Sequence, residues 1–321
     1  MNRILLIDPG KGWGNFVSKL YCYKKLSEYL NSKLIILTKR STQAKSYLKK
    51  ANFCENIIYL EEPKRGINNF IYNIKCNFRN IKIINDLKCD ICFVFHPSIR
   101  YLFFARISNI KNIWALGYRF QNFFISKKNS FYSSFISKAI KNDNEALEFV
   151  KKITKSNDIS FEPLEKVNKK SQDTIGIIIA ASGYEKRWAI ENYLKIIKFL
   201  QKKGFKKFLV VSGIDQSSEE DLIKRNFDKK INIIFSSKKK IYELIPLIKK
   251  CKFCIGNDTG FSHLSISFGI DTFVLYGDCP PQNYSNLIHH IDIEQDEIRS
   301  DSSIKLISPE KVISKLNLFI K

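Results

Sequence analysis

The sequence predicts an α/β chain built from two doubly wound parallel sheets. Three observations predict it. Short apolar runs recur without the alternation of a half-exposed strand, as parallel strands covered on both faces require. Amphipathic patterns of helix length separate these runs. The whole strand–helix series then occurs twice, on either side of a polar break at 155–172.

Taken in order, the first series has strands at 3–8 (Arg-Ile-Leu-Leu-Ile-Asp), 33–37 (Lys-Leu-Ile-Ile-Leu), 57–60, 90–95 and 112–116, with helical patterns at 16–30, 41–51 and 141–154. The second has strands at 175–180 (Ile-Gly-Ile-Ile-Ile-Ala), 207–212, 231–235, 252–256 and 272–276. Its helical patterns lie at 189–203, 217–228, 241–250, 260–268 and 308–320. Alternation of this kind implies right-handed βαβ units. The expected architecture is two Rossmann-like domains, 1–165 and 172–306, facing each other across a cleft, with ligands beyond the C-terminal ends of the strands.

Length and composition agree. A chain of 321 residues, 44% hydrophobic, suits two domains with sizeable cores and excludes wholesale disorder. The net charge of +23 invites a nucleic-acid reading, but only ten of the 54 basic residues are Arg and the Lys residues are dispersed. A solvated Lys surface explains them, and such a surface still attracts anionic lipid or a phosphorylated substrate. No apolar stretch reaches the about 20 residues needed to cross a bilayer. The run Met1–Asp8 lacks the parts of a secretion signal, so a soluble cytoplasmic protein is expected.

Eight cysteines include two CxxC spacings, Cys89/Cys92 and Cys251/Cys254, both in strand-like runs. Positions i and i+3 of a regular strand point to opposite faces, so neither pair is expected to share a metal. No adjoining His completes a zinc set, and buried, inert thiols are expected.

Three motifs could carry chemistry. Gly10-Lys11-Gly12-Trp13-Gly14-Asn15 follows the first strand. Its spacing is GxGxG rather than GxGxxG, and the second strand ends in Leu37-Thr-Lys-Arg-Ser41 without a ribose-binding acid, which argues against a dinucleotide site. A P-loop ending is absent. Ala181-Ser-Gly-Tyr-Glu-Lys-Arg-Trp188 follows strand 175–180, and Lys186 and Arg187 could neutralise phosphate. In Ile255-Gly-Asn-Asp-Thr-Gly-Phe-Ser-His263 a strand ends, Asp258 and Thr259 offer capping oxygens, and a helix begins. Its first amides would form an anion site. His263 in the first turn reads equally as a structural side chain or as a phosphate donor.

The run Gly256–His263, continued by Ser265-Ile-Ser-Phe-Gly-Ile-Asp-Thr-Phe-Val-Leu-Tyr-Gly277, resembles glycosyltransferase family 9, which contains the ADP-heptose:lipopolysaccharide heptosyltransferases. Lys186-Arg-Trp188 looks like that family's Lys-x-Trp segment, and the first strand, glycine loop and first helix match in placement. The resemblance spans nearly the whole chain and is strongest at 175–285. It implies a GT-B fold whose last helix, here 307–321, can cross back to the first domain. It further implies inverting, metal-independent transfer of a heptose or related sugar from a nucleoside-diphosphate donor, expected to be ADP-linked, with no resident cofactor. The acceptor would be a lipopolysaccharide core or related lipid-linked glycan, met at the inner face of the inner membrane. Ser182, Lys186, Asp258, Thr259, Gly260 and His263 would be donor-site residues.

One position departs from the family. Its Gly-Asp at the start of the first helix supplies the presumed general base, and here the pair is Gly14-Asn15. An amide is not a base in water. Three explanations are open. A neighbouring carboxylate, Asp8 or Glu185, has taken over. Alternatively an oxocarbenium-like transition state loses its proton late and needs no strong base. Or the chain has kept binding and lost catalysis, as a nucleotide-sugar or glycan binder; a GT-B sugar-nucleotide epimerase is the remaining alternative. Finally, segment 99–138 interleaves aromatics with Arg and Lys. It reads either as a membrane-facing or lipid-acceptor face or as ordinary core with solvated Lys.

Overall fold

A computed structural model describes residues 2–10, 12–49, 51–117, 125, 127–132, 142–165, 167–168, 171–181, 183–227, 231–294, 299–300 and 302–320. The chain divides into two compact units, Met1–Ser160 and Phe161–Lys321.

The first unit holds strands β1 (Ile4–Asp8), β2 (Leu34–Thr38), β3 (Cys54–Tyr59), β4 (Ile91–Val94), β5 (Asn112–Gly117) and β6 (Ser130–Tyr132). Its helices are α1 (Trp13–Val17), α2 (Leu20–Leu30), α3 (Lys45–Leu48), α4 (Phe70–Asp86), α5 (Ile99–Ile107) and α6 (Asn142–Thr154). The second unit holds β7 (Thr174–Ile178), β8 (Lys207–Val211), β9 (Asn232–Phe235), β10 (Cys251–Asn257), β11 (Asp271–Tyr276) and β12 (Ile288–Asp292). Its helices are α7 (Ile190–Lys202), α8 (Ser217–Asn226), α9 (Ile241–Ile248), α10 (Gly260–Ser267) and α11 (Pro309–Phe319).

Among the described residues the sheets are parallel, with orders β3-β2-β1-β4-β5-β6 and β12-β11-β10-β7-β8-β9. Counted within its own unit, each sheet runs third, second, first, fourth, fifth, sixth. Each therefore has a switch point between its first and fourth strands, β1/β4 and β7/β10, where open α/β sheets bind ligands.

The central strands are buried on both faces, as their unbroken apolar runs require: Leu5, Ile7, Ile35 and Val94 in one core, Ile175, Ile177, Val210 and Ile255 in the other. Helix α7 buries Tyr193, Ile196, Ile197 and Leu200 at helical spacing. Each fully buried aliphatic side chain there contributes about 1.5–3 kcal/mol relative to exposure.

The structure departs from the sequence expectations in several places. The 16–30 helix breaks at Ser18–Lys19 into α1 and α2, and the 41–51 pattern contracts to α3 with a short turn at Arg40–Thr42 before it. Helices α4 and α5 and strands β6 and β12 were not expected. α4 buries only Cys76, Asn80 and Ile84, so its apolar residues do not line one inner stripe. The terminal helix packs beside α7. Ser308 caps it by accepting from the Lys311 amide (3.2 Å), Val312 and Leu316 enter the core, and the Phe319 ring meets Phe253 and Phe273. The Cys251/Cys254 expectation is also corrected. A register shift between Cys251 and Phe253 lets both thiols approach the Gly176 α-carbon from the same side. The hydrogen bond that the Cys251 thiol donates to Cys254, and then burial, hold that thiol well above its usual pKa. No helix among the described residues is long and apolar enough to cross a membrane.

Candidate functional site

The second unit assembles a site above its switch point. β10 and β7 run so close that a Cβ on Gly256 would collide with the Ile178 carbonyl, so only glycine fits there. The next residue, Asn257, is buried and ties the two strand ends together. Its Nδ2 donates to the carbonyls of Ile179 (2.9 Å) and Ala180 (3.3 Å), and its Oδ1 accepts from the Tyr193 hydroxyl (2.9 Å). The Ser262 hydroxyl closes the turn by donating to the Asn257 carbonyl (2.6 Å). Two loops are thereby fixed side by side: the one after β7 that carries Lys186, and the one after β10 that carries Asp258 and Thr259.

The first loop forms a short turn at Tyr184–Lys186. The buried Trp188 anchors it, with Nε1 donating to the Ile307 carbonyl (2.8 Å) and the ring set edge-on to Tyr193. Arg187 turns away to Asp215 and, at 3.6 Å, Glu219. It belongs to that cluster rather than to the phosphate set considered from sequence. Lys186 swings the other way and pairs with Asp278, in the loop after β11. Ser182 lies outside the described residues.

In the second loop Thr259 occupies the N-cap of α10 in an extended conformation. Its Oγ1 is buried and has no hydrogen-bond partner among the described residues. Gly260 opens the helix, whose first amides have no intrahelical acceptors. Asp258 holds its carboxylate 3.0 Å from His263 Nε2, and His263 Nδ1 lies 2.9 Å from the Tyr284 hydroxyl. A carboxylate only accepts, so Nε2 carries the proton, and a neutral ring takes the Tyr284 hydrogen at Nδ1. His263 is buried with both nitrogens occupied. Of the two readings open from sequence, these contacts fit the structural one, with the ring set against Asp258. Among the described residues no three metal-ligating side chains converge.

The corresponding place in the first unit is arranged differently. Asp8, at the end of β1, is fully buried. It accepts from the Gly10 amide (3.1 Å) and the Tyr23 hydroxyl, and it pairs with the buried Lys19, which the break between α1 and α2 turns inward. Burial first, and then the Asp8 charge, push the Tyr23 pKa well above 10.0. Asp8, a candidate base by sequence, is thus enclosed in an ion pair with Lys19. Asn15 is exposed on α1, just after Gly12, whose φ of 78° suits glycine. Glu185 is exposed in the Lys186 loop.

Sequence reasoning missed Asn257, Tyr193, Asp278 and Tyr284. The Asn-Asp pair at a strand end was a usable signal for Asn257, because a side-chain amide there can satisfy two backbone groups. Nothing local announces that Asp278 meets Lys186, 92 positions earlier.

Comparison with known proteins completes the picture. The family model for glycosyltransferase family 9 (heptosyltransferase) matches residues 118–302. No curated protein sequence matches the chain. Among solved structures, a family 9 glycosyl transferase from Veillonella parvula DSM 2008 shares 18% identity over 99% of this chain and 97% of its own, with a TM-score of 0.73. E. coli ADP-heptose lps heptosyltransferase II shares 15% over 99% and 98%, with a TM-score of 0.73. E. coli heptosyltransferase WaaC with ADP-2-deoxy-2-fluoro heptose shares 13% over 99% of each chain, with a TM-score of 0.68. The two parallel-sheet units thus have the GT-B fold of these heptosyltransferases.

Proposed function

The chain belongs to glycosyltransferase family 9 and is a glycosyltransferase, and from that premise we propose that it moves a heptose or related sugar from an ADP-linked donor to a lipopolysaccharide core or related lipid-linked glycan. The donor is a co-substrate, and no resident cofactor is invoked. The reading places the protein in the cytoplasm, peripheral at the inner membrane.

One observation carries it. Asn257 holds two loops together so that Lys186, Asp258, Thr259 and the opening amides of α10 share one end of the second sheet. An acceptor oxygen attacks the anomeric carbon on the face opposite the leaving group and inverts it. The bond from that carbon to the diphosphate breaks, and the diphosphate departs with the electron pair. Its terminal phosphate gains negative charge in the transition state. Lys186, released from Asp278, neutralises that charge, and the α10 amides and the Thr259 hydroxyl donate to it. These groups supply in protein what a metal would otherwise supply, so transfer proceeds in chelator. The acceptor proton leaves late or passes to Glu185, since Asp8 is enclosed and Asn15 is an amide.

Replacing Lys186 tests the assignment. Lys186→Ala lowers transfer from ADP-heptose by about 10²–10³-fold, in line with loss of one preorganised oxyanion donor. Its thermal unfolding stays unchanged, because the side chain is part-exposed. Transfer at the native rate overturns the donor site. Binding of ADP without transfer by the native chain favours the non-catalytic reading.

A further inference from the structure

We infer that helices α4 and α5 form a docking face for a bilayer containing anionic phospholipid. The inference deepens the reading of a lipid-linked acceptor and rests on it, but the surface itself is read from exposure and charge.

The exposed large apolar side chains are not scattered. Among the described residues seven of fourteen lie on these two helices: Phe70, Ile71, Ile74, Phe78, Ile99, Phe103 and Ile107. Phe70 and Ile71 are each 68% exposed and Phe78 67%. Single exposed apolar residues need no explanation, but a contiguous set does.

Helical spacing makes the set continuous. Phe70, Ile74 and Phe78 recur at every fourth position of α4, opposite the buried Cys76, Asn80 and Ile84. Ile99, Phe103 and Ile107 recur likewise on α5, opposite the buried Leu102 and Ala105. The helices pack against each other, and the Ser108 hydroxyl at the end of α5 donates to the Ile81 carbonyl (3.2 Å). Both inner stripes face the core of one sheet, so the outer stripes form one surface.

Charge decides what covers it. Lys75, Arg79, Lys82, Arg100 and Arg106 are exposed on the same two helices, against a single acid, Asp86. Five positive charges less one leave +4. In the loop before α4, Glu61 lies 3.9 Å from Arg79 and Glu62 lies 3.7 Å from Lys39. A second copy of this chain would bring like charge against like. An anionic lipid surface takes the apolar rings below the headgroups and the cations on its phosphates. From sequence, 99–138 reads either as such a face or as ordinary core with solvated Lys. Tyr101, Leu102 and Phe104 of that segment are core instead, and 118–124, 126 and 133–138 lie outside the described residues.

Sedimentation with vesicles tests the face. The full chain binds equimolar phosphatidylglycerol and phosphatidylethanolamine vesicles, binding falls as salt rises, and pure phosphatidylcholine vesicles leave it in solution. The triple variant Phe70→Ser, Ile71→Ser, Phe78→Ser binds the anionic vesicles roughly tenfold more weakly or worse. Lys75→Glu with Lys82→Glu weakens binding and flattens its salt dependence, an independent arm should the triple variant fold poorly. Ile214→Ser, at an exposed apolar residue away from the face, binds as the native chain does. Sugar transfer to a delipidated acceptor is unchanged in the vesicle-binding variants, which separates this inference from the donor-site assignment. Three results each overturn it: no binding by the native chain, native binding by both multiple variants, or a native dimer that the triple variant makes monomeric.

Discussion

The two units run their strands in the same order yet fill their switch points in opposite ways. In the first, the end of β1 carries a buried carboxylate, and the protein itself satisfies it with Lys19, Tyr23 and the Gly10 amide. In the second, the end of β10 carries a neutral amide that ties the strand ends together. The charged groups there, Lys186 and Asp258, stand above it and remain part-exposed. A buried charge must be paired inside the fold and is then spent on stability. A buried amide is satisfied by neutral groups, here two carbonyls and the Tyr193 hydroxyl, so it consumes none of the nearby charges. The contrast separates an enclosed ion pair from a part-exposed charged cluster within one repeated architecture.

Four variants break or sharpen that contrast. The largest effect falls on the first unit. Asp8→Ala strands the buried Lys19 ammonium and costs about 3–5 kcal/mol of unfolding free energy, read by urea titration. Replacing both partners with apolar residues, Asp8→Leu with Lys19→Met, recovers most of that loss. If Asp8→Ala is as stable as the native chain, the ion pair is not the structural centre. Next, Asn257→Ala removes the donor to the Ile179 and Ala180 carbonyls and one acceptor of the Tyr193 hydroxyl, and costs about 1–3 kcal/mol. The same variant loses affinity for ADP by calorimetry, because the two loops are no longer held in register. Unchanged ADP binding would detach Asn257 from the site.

The smallest effect is a change of slope. The Tyr23 pKa is raised in the fold, so above pH 10.0 the unfolded chain releases that proton while the native chain keeps it. Stability therefore falls as pH rises beyond that value. Tyr47 and Tyr193, raised by burial as well, add to the fall. Tyr23→Phe makes the decline between pH 9 and 11 (roughly one unit either side of the free phenol) shallower. An unaltered slope would show that Asp8 and Tyr23 do not share the enclosed cluster.

How much of this was legible is best judged residue by residue. The Lys186 and Asp258–Gly260 segments were visible because each is local: a strand, its end, and the residues that turn the chain into a helix. The family resemblance read on them stands with the family match. Helix α4 was missed because a helix that turns Phe70 and Phe78 outward gives no one-sided apolar stripe. The Cys251/Cys254 geometry was misjudged because the alternation rule assumes a regular strand, and β10 shifts register between Cys251 and Phe253. His263 was left open between a structural and a phosphate role because Tyr284, 21 positions later, could not be foreseen at its second nitrogen.

By itself, then, the order of apolar runs and turn residues determined that this chain forms two doubly wound parallel sheets and placed the donor-side loops at strand ends. Those features follow from interactions within a few residues, which any copy of the segment would make. The three-dimensional fold alone decided which groups meet: Asp8 with Lys19, Lys186 with Asp278, and His263 with Asp258 and Tyr284. Pairings between distant positions depend on which strand ends the sheet brings together, and no local pattern encodes that distance.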